Sequence, residues 1–128
     1  MSERIVADAY AWVEYLDGAQ RGEKLRNLLE HGVDVYTSAV TLVEVVSKVA
    51  RTGRDHETAH AVIRGNSTIV EADEQLSCET GVLHAGIRRT AKDFGLADAY
   101  VLATARKLGA KILTGDPHFN GIPDAIML

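Results

Sequence analysis

The chain has 128 residues, enough for one compact domain. It is 46% hydrophobic and 25% charged, which supports a core built mainly from Val, Leu, Ile and Ala, because aromatics make up only 5%. A net charge of −4 argues against non-specific coating of nucleic acid or of an anionic membrane, and a lone cysteine, Cys78, excludes an internal disulfide.

Residues 4–7 (RIVA) read as a short buried strand ended by Asp8. No signal-peptide pattern surrounds them, and no apolar run approaches the ~20 residues that span a bilayer. A cytoplasmic location is therefore expected. Residues 9–16 follow as a helix with Ala9, Trp12, Val13 and Leu16 on one face. A polar amphipathic helix over 20–31 points Leu25, Leu28 and Leu29 inward, with Arg21 and Lys24 among the outward residues, and stops at Gly32. Residues 33–37 make a second strand. Ser38 or Thr41 caps a helix over 39–52 with the stripe Leu42, Val43, Val46, Val49 and Ala50. Residues 56–64 form a further helix, and 68–72 a third strand. A long helix over 74–93 precedes Gly95 and a helix over 97–108. Lys111 to Thr114 is the fourth strand, and the tail 125–128 is a candidate fifth. Short strands alternating with helices predict an α/β fold, a three-layer sandwich around a short, mostly parallel sheet of four or five strands.

In an open parallel sheet, sites form beyond the carboxyl ends of the strands. Asp8 ends the first strand, Glu44 lies in the helix after the second, Asp98 precedes the fourth and Asp116 follows it. Each has an ordinary explanation. Asp8 can cap a helix, Glu44 can close a capping box with Thr41, Asp98 can favour a helix dipole, and Asp116 can be a turn residue before Pro117. Asp98 fits its ordinary role least. It shares a stripe with Val101, Leu102 and Ala105, and no Lys or Arg lies one turn away on that stripe. A carboxylate there is costly unless something pairs with it.

The segments Ile5-Val6-Ala7-Asp8, Ser38 to Val45 with Glu44, Leu96-Ala97-Asp98-Ala99, and Leu113-Thr114-Gly115-Asp116-Pro117-His118-Phe119 together resemble the PIN-domain family across essentially the whole chain. The resemblance implies a metal-dependent ribonuclease using Mg²⁺ or Mn²⁺. Small members are often toxins of the VapC type, each restrained by a VapB-like antitoxin, and a homodimer is implied as well. Carried over by position, Asp8, Glu44, Asp98 and Asp116 form the acidic, metal-binding catalytic site, and Thr114 is a supporting polar group. Many members place Ser or Thr just after the first acid, where this chain has Ala9 and Tyr10.

Candidate cations for RNA are Arg51 and Arg54, the group Arg88, Arg89 and Lys92, and the pair Arg106 and Lys107, with the first two favoured because they follow the helix that carries Glu44. The spacing of His56 and His60 suits zinc, yet no third ligand is near in sequence. His118 is expected to touch substrate or simply to fill a turn. Trp12, His84 and Cys78 read as packing or structural residues. Alternatives are an RNA-processing nuclease that is not a toxin, a non-catalytic PIN-like scaffold, and a phospho-acceptor signalling domain. The last fits poorly, since Asp8 stands alone where an acidic pair is needed.

Overall fold

The computed structural model describes residues 3–128. Five strands form one sheet: β1 (Arg4–Ala7), β2 (Asp34–Ser38), β3 (Thr68–Val70), β4 (Lys111–Thr114) and β5 (Ala125–Met127). Their spatial order is β3-β2-β1-β4-β5, and every neighbouring pair is parallel. The helices are α1 (Ala9–Leu16), α2 (Glu23–Glu30), α3 (Ala39–Arg51), α4 (His56–Asn66), α5 (Glu74–Ile87) and α6 (Leu96–Leu108).

The period-two alternation of strand side chains divides the core. Ile5, Ala7, Val35 and Leu113 face one way and pack with Trp12, Leu25, Val45, Val49 and Ile63 of α1 to α4. Val6 and Ile112 face the other way and pack with Phe94, Leu102, Ala105 and Phe119, on the side of α5 and α6. Burial on both faces explains the near-continuous apolar strands RIVA and KILT. The three-layer α/β/α expectation holds, with the tail forming the fifth strand.

Several local expectations need correction. The helix expected over 20–31 is a 3-10 turn at Gln20–Gly22 followed by α2. Gly22 is buried against α1, and a Cβ there would lie 2.5 Å from the Glu14 carbonyl oxygen. That close approach forces the tighter turn. The helix expected over 74–93 ends at Ile87. Backbone bonds from Thr90 and Ala91 to the Ile87 carbonyl then turn the chain and bring Phe94 into the core. Ser38, not Thr41, caps α3, with its hydroxyl accepting from Val40 N–H at 3.2 Å. Thr41 is buried within the helix and its hydroxyl has no partner among the described residues, so no Thr41–Glu44 capping box forms. The buried stripe of α3 is Thr41, Val45 and Val49, while Val43 is 67% exposed and Ala50 is also exposed. Nearly every face of this helix carries a valine, so periodicity alone leaves its rotation open. Cys78 is exposed rather than packed inside.

Candidate functional site

The chain runs outward from β1 to β2 and β3, then returns to the other side of β1 for β4 and β5. The switch point therefore lies at the carboxyl ends of β1 and β4, where crossover connections diverge and leave a crevice. Asp8 follows β1 there, and Thr114 and Asp116 stand at the end of β4.

Asp8 is 4% exposed. It caps α1, its Oδ1 accepting from Ala11 N–H at 3.0 Å, and its Oδ2 accepts from the Thr114 hydroxyl. Thr114 Oγ1 in turn accepts from the Asp116 backbone N–H at 2.9 Å. The hydroxyl bonded to Asp8 thus comes from β4, not from the residues that follow the acid in sequence. Burial pushes the Asp8 carboxyl up to about 6. The bonds from Thr114 and Ala11 oppose that rise, and the charges of Asp116 and Glu44 add to it.

Asp98 occupies the third position of α6 and reaches back to accept from Gly95 N–H at 2.9 Å. Asp116 caps the turn Pro117–Phe119, its Oδ1 accepting from His118 N–H at 2.9 Å. Their side chains are each 16% exposed. His118 Nδ1 lies 3.0 Å from Asp98 Oδ2 and 3.5 Å from Asp116 Oδ1. Ligand-capable atoms of these three residues all fall within 4.8 Å of one another. The hydrogen bond to Asp98, helped by the charges of Asp116, Asp98 and Asp93, raises the His118 pKa despite slight desolvation. Glu44 stands exposed on α3. Partial desolvation by the surrounding groups raises its carboxyl pKa, and the charges of Asp98 and Asp116 raise it further.

The four sequence-derived acids are therefore one electrostatic group, with Asp8 deepest and Glu44 at the rim. Three of them also serve local capping roles, Asp8 at α1, Asp98 at α6 and Asp116 at the turn Pro117–Phe119. Asp98 does have a partner, which sequence reasoning missed. His118 lies 20 residues further on, and the D-x-H spacing after β4 was its only local sign.

A groove of roughly 420 Å³ runs between α1 and α3 beside Glu44. Tyr10, Val43, Glu44, Lys48 and Arg51 are among its lining residues. Arg54 is instead paired with Asp17. Arg106 lies 3.4 Å from Asp124, and Lys107 lies 4.0 Å from Asp73. Trp12 is buried and donates from Nε1 to Thr37 Oγ1 at 3.0 Å, as a packing residue should. His84 bonds the Phe94 carbonyl at 3.1 Å. His56 and His60 are exposed, and among the described residues no third metal-ligating group joins them. No described helix is long and apolar enough to cross a membrane.

The five-stranded parallel sheet and the sequence that forms it both have counterparts among known proteins. Residues 5–125 match the family model of the PIN domain, and the chain belongs to that family. A chain from VapBC2 of Rickettsia felis, solved bound to a DNA fragment from their promoter, has a similar structure with TM-score 0.76 and 15% identity, covering 98% of this chain and 97% of that one. VapC20 of Mycobacterium tuberculosis, a sarcin-ricin loop cleaving toxin, aligns with TM-score 0.75 and 19% identity over 93% of this chain and 95% of its own. DNA-bound VapBC from Salmonella typhimurium contains a chain with TM-score 0.71 and 20% identity, covering 100% and 98%. No curated protein matches the chain by sequence.

Proposed function

We propose that this chain is a divalent-metal-dependent endoribonuclease and the toxin of a VapBC-type pair, with Asp8, Glu44, Asp98 and Asp116 as its metal-binding and catalytic acids. The observation that carries the reading is the electrostatic coupling of the four acids at the switch point. Burial disfavours the charged forms of Asp8 and Glu44, and neighbouring acids add to it, Asp116 and Glu44 for Asp8, Asp98 and Asp116 for Glu44. Clustered carboxylates with no Lys or Arg bonded to them among the described residues are a donor set suited to Mg²⁺ or Mn²⁺, which prefer oxygen ligands. Such an ion, when bound, supplies Lewis-acid stabilisation of a phosphoryl oxygen and a more acidic water.

The chain's own groups hold the geometry. Thr114 fixes the rotamer of Asp8 and the backbone of Asp116 together. Gly95 N–H orients Asp98. Glu44, at the rim, would orient a water or bind a further ion. Lys48 and Arg51 line the groove leading from Glu44 and supply the cations that an RNA backbone needs. The toxin assignment rests on the similar solved structures, which include a toxin–antitoxin complex from Klebsiella pneumoniae and the toxin VapC20. A VapB-like antitoxin would cover the exposed Tyr10 and Val43 of this groove and so block the same cations. A homodimer and a cytoplasmic location belong to the same proposal.

The test is cleavage of total RNA in Mn²⁺ or Mg²⁺ beside an EDTA control and Asp98→Asn. Discrete fragments from wild type alone are expected. Equal cleavage by Asp98→Asn would place the activity elsewhere.

A further inference from the structure

We propose that His118 is a metal ligand through Nδ1, completing a mixed oxygen and nitrogen donor set with Asp98 and Asp116 that favours Mn²⁺ and Co²⁺ over Mg²⁺. This rests on the reading of the acidic crevice as a metal site, and adds a residue and a selectivity to it.

The spacing of His118 Nδ1 and Asp98 Oδ2 is that of adjacent ligands, with Asp116 slightly further off. Donors next to each other around an ion with bonds of about 2.1 Å lie about 3 Å apart. Nδ1 lies 3.0 Å from one carboxylate oxygen and 3.5 Å from another on a different residue. A ring nitrogen serving one hydrogen bond needs only one such neighbour. The backbone holds the arrangement before any ligand arrives. Pro117 opens the turn, Asp116 Oδ1 caps it by accepting from His118 N–H, and Phe119 locks its far end. Phe119 is 1% exposed and meets Phe94 edge to face at 5.6 Å. Phe94 immediately precedes Gly95, whose N–H orients Asp98. One aromatic contact thus ties the segments carrying all three donors.

The chemical consequence follows from ligand softness. Mg²⁺ is held by oxygen and releases water reluctantly, so an imidazole gains it little. Imidazole best suits Fe²⁺, Ni²⁺, Cu²⁺ and Zn²⁺; affinity rises along the first row from Mn²⁺, the weakest, through Co²⁺, and even Mn²⁺ gains more from a nitrogen donor than the harder Mg²⁺. The His118 side chain is 41% exposed, which leaves the outer side of the site open to water or a phosphate oxygen.

The experiment reads metal binding rather than cleavage. Pulsed EPR of Mn²⁺ bound to the full chain detects a directly coordinated ¹⁴N. Titrations give the Mn²⁺ and Mg²⁺ dissociation constants of wild type, His118→Ala, Asp98→Asn and His56→Ala. The expected result is a ¹⁴N coupling in wild type and His56→Ala that is absent in His118→Ala. His118→Ala should also weaken Mn²⁺ by about tenfold or more, the scale of losing a group that tunes a metal site, while Mg²⁺ changes less than about threefold. If Mn²⁺ binds and depends on Asp98, yet shows no ¹⁴N coupling, His118 is only a hydrogen-bond partner of Asp98 and this proposal alone falls. If wild type binds no Mn²⁺, or Asp98→Asn binds it equally well, the metal-site reading falls and takes this one with it.

Discussion

The Thr114 hydroxyl donates to the Asp8 carboxylate across 106 residues of sequence and accepts the Asp116 backbone N–H on its other side. One hydroxyl therefore joins the ends of β1 and β4 and sets two of the four acids. Both partners of this contact are buried, so its loss cannot be made good by bulk water. Thr114→Val should lower RNA cleavage by about 10- to 100-fold, the range seen when a group supporting metal ligands is removed. Thr114→Ser, which keeps the hydroxyl, should recover most of it. Equal loss in both variants would assign the effect to packing of the missing methyl instead.

Asp8 should make the metal-free fold less stable as pH rises. Its carboxyl titrates at about 6 in the folded chain, against 3.8 for an unperturbed Asp. Between these values the folded state binds more protons than the unfolded state, so stability falls with increasing pH and is lowest, from this group, above 6. At about 1.4 kcal/mol per pH unit the cost is about 3 kcal/mol. The raised Glu44 pKa acts in the same sense. His118, with its raised pKa, contributes stability that is full below 6.5 and is lost above it. Asp8→Asn should therefore raise the Tm of the metal-free protein at pH 7.5, gain little at pH 4, and abolish cleavage. Thermal melts across pH 4 to 8 in EDTA check this, and a lower Tm for Asp8→Asn at pH 7.5 would contradict it.

Metal should reverse that penalty. An ion that binds the folded chain alone stabilises it by about 2.7 kcal/mol at 100 times its dissociation constant. Saturating Mn²⁺ should thus raise the wild-type Tm by several degrees, and Asp98→Asn should lose most of the shift. An equal shift in both proteins would mean that the ion binds somewhere other than the crevice.

Gly22 tests the fold without touching the site. A Cβ there would sit 2.6 Å from the Glu14 carbonyl carbon and 2.7 Å from Tyr15 Cα, both backbone atoms that no side-chain rotation can clear. Gly22→Ala should cost about 2–3 kcal/mol, typical of forced overpacking. Gly18→Asn provides the comparison, because Gly18 has φ +67 with nothing near its missing Cβ, and asparagine tolerates that conformation. Urea melts should rank Gly22→Ala well below Gly18→Asn.

Much of this molecule is written locally. Strand and helix order, the two-sided burial of RIVA and KILT, and the positions of Asp8, Asp98 and Asp116 at element ends follow from neighbouring residues. Such features depend on side-chain period and capping chemistry, which act within a few positions. The four carboxylates could therefore be placed at one edge of the sheet, whereas Thr114 was named only through the resemblance to the PIN-domain family. Tertiary structure decided the rest. The placement of β1 between β2 and β4 brings Thr114 to Asp8, and no local pattern encodes which strands become neighbours. The partner of Asp98 is His118, delivered by a turn after a different strand. The rotation of α3, which exposes Val43 and buries Thr41, was settled by what it packs against, because its valines satisfy several faces equally. Cys78 is exposed for the same reason: local sequence limits which faces can be buried, and only the packed neighbours choose among them.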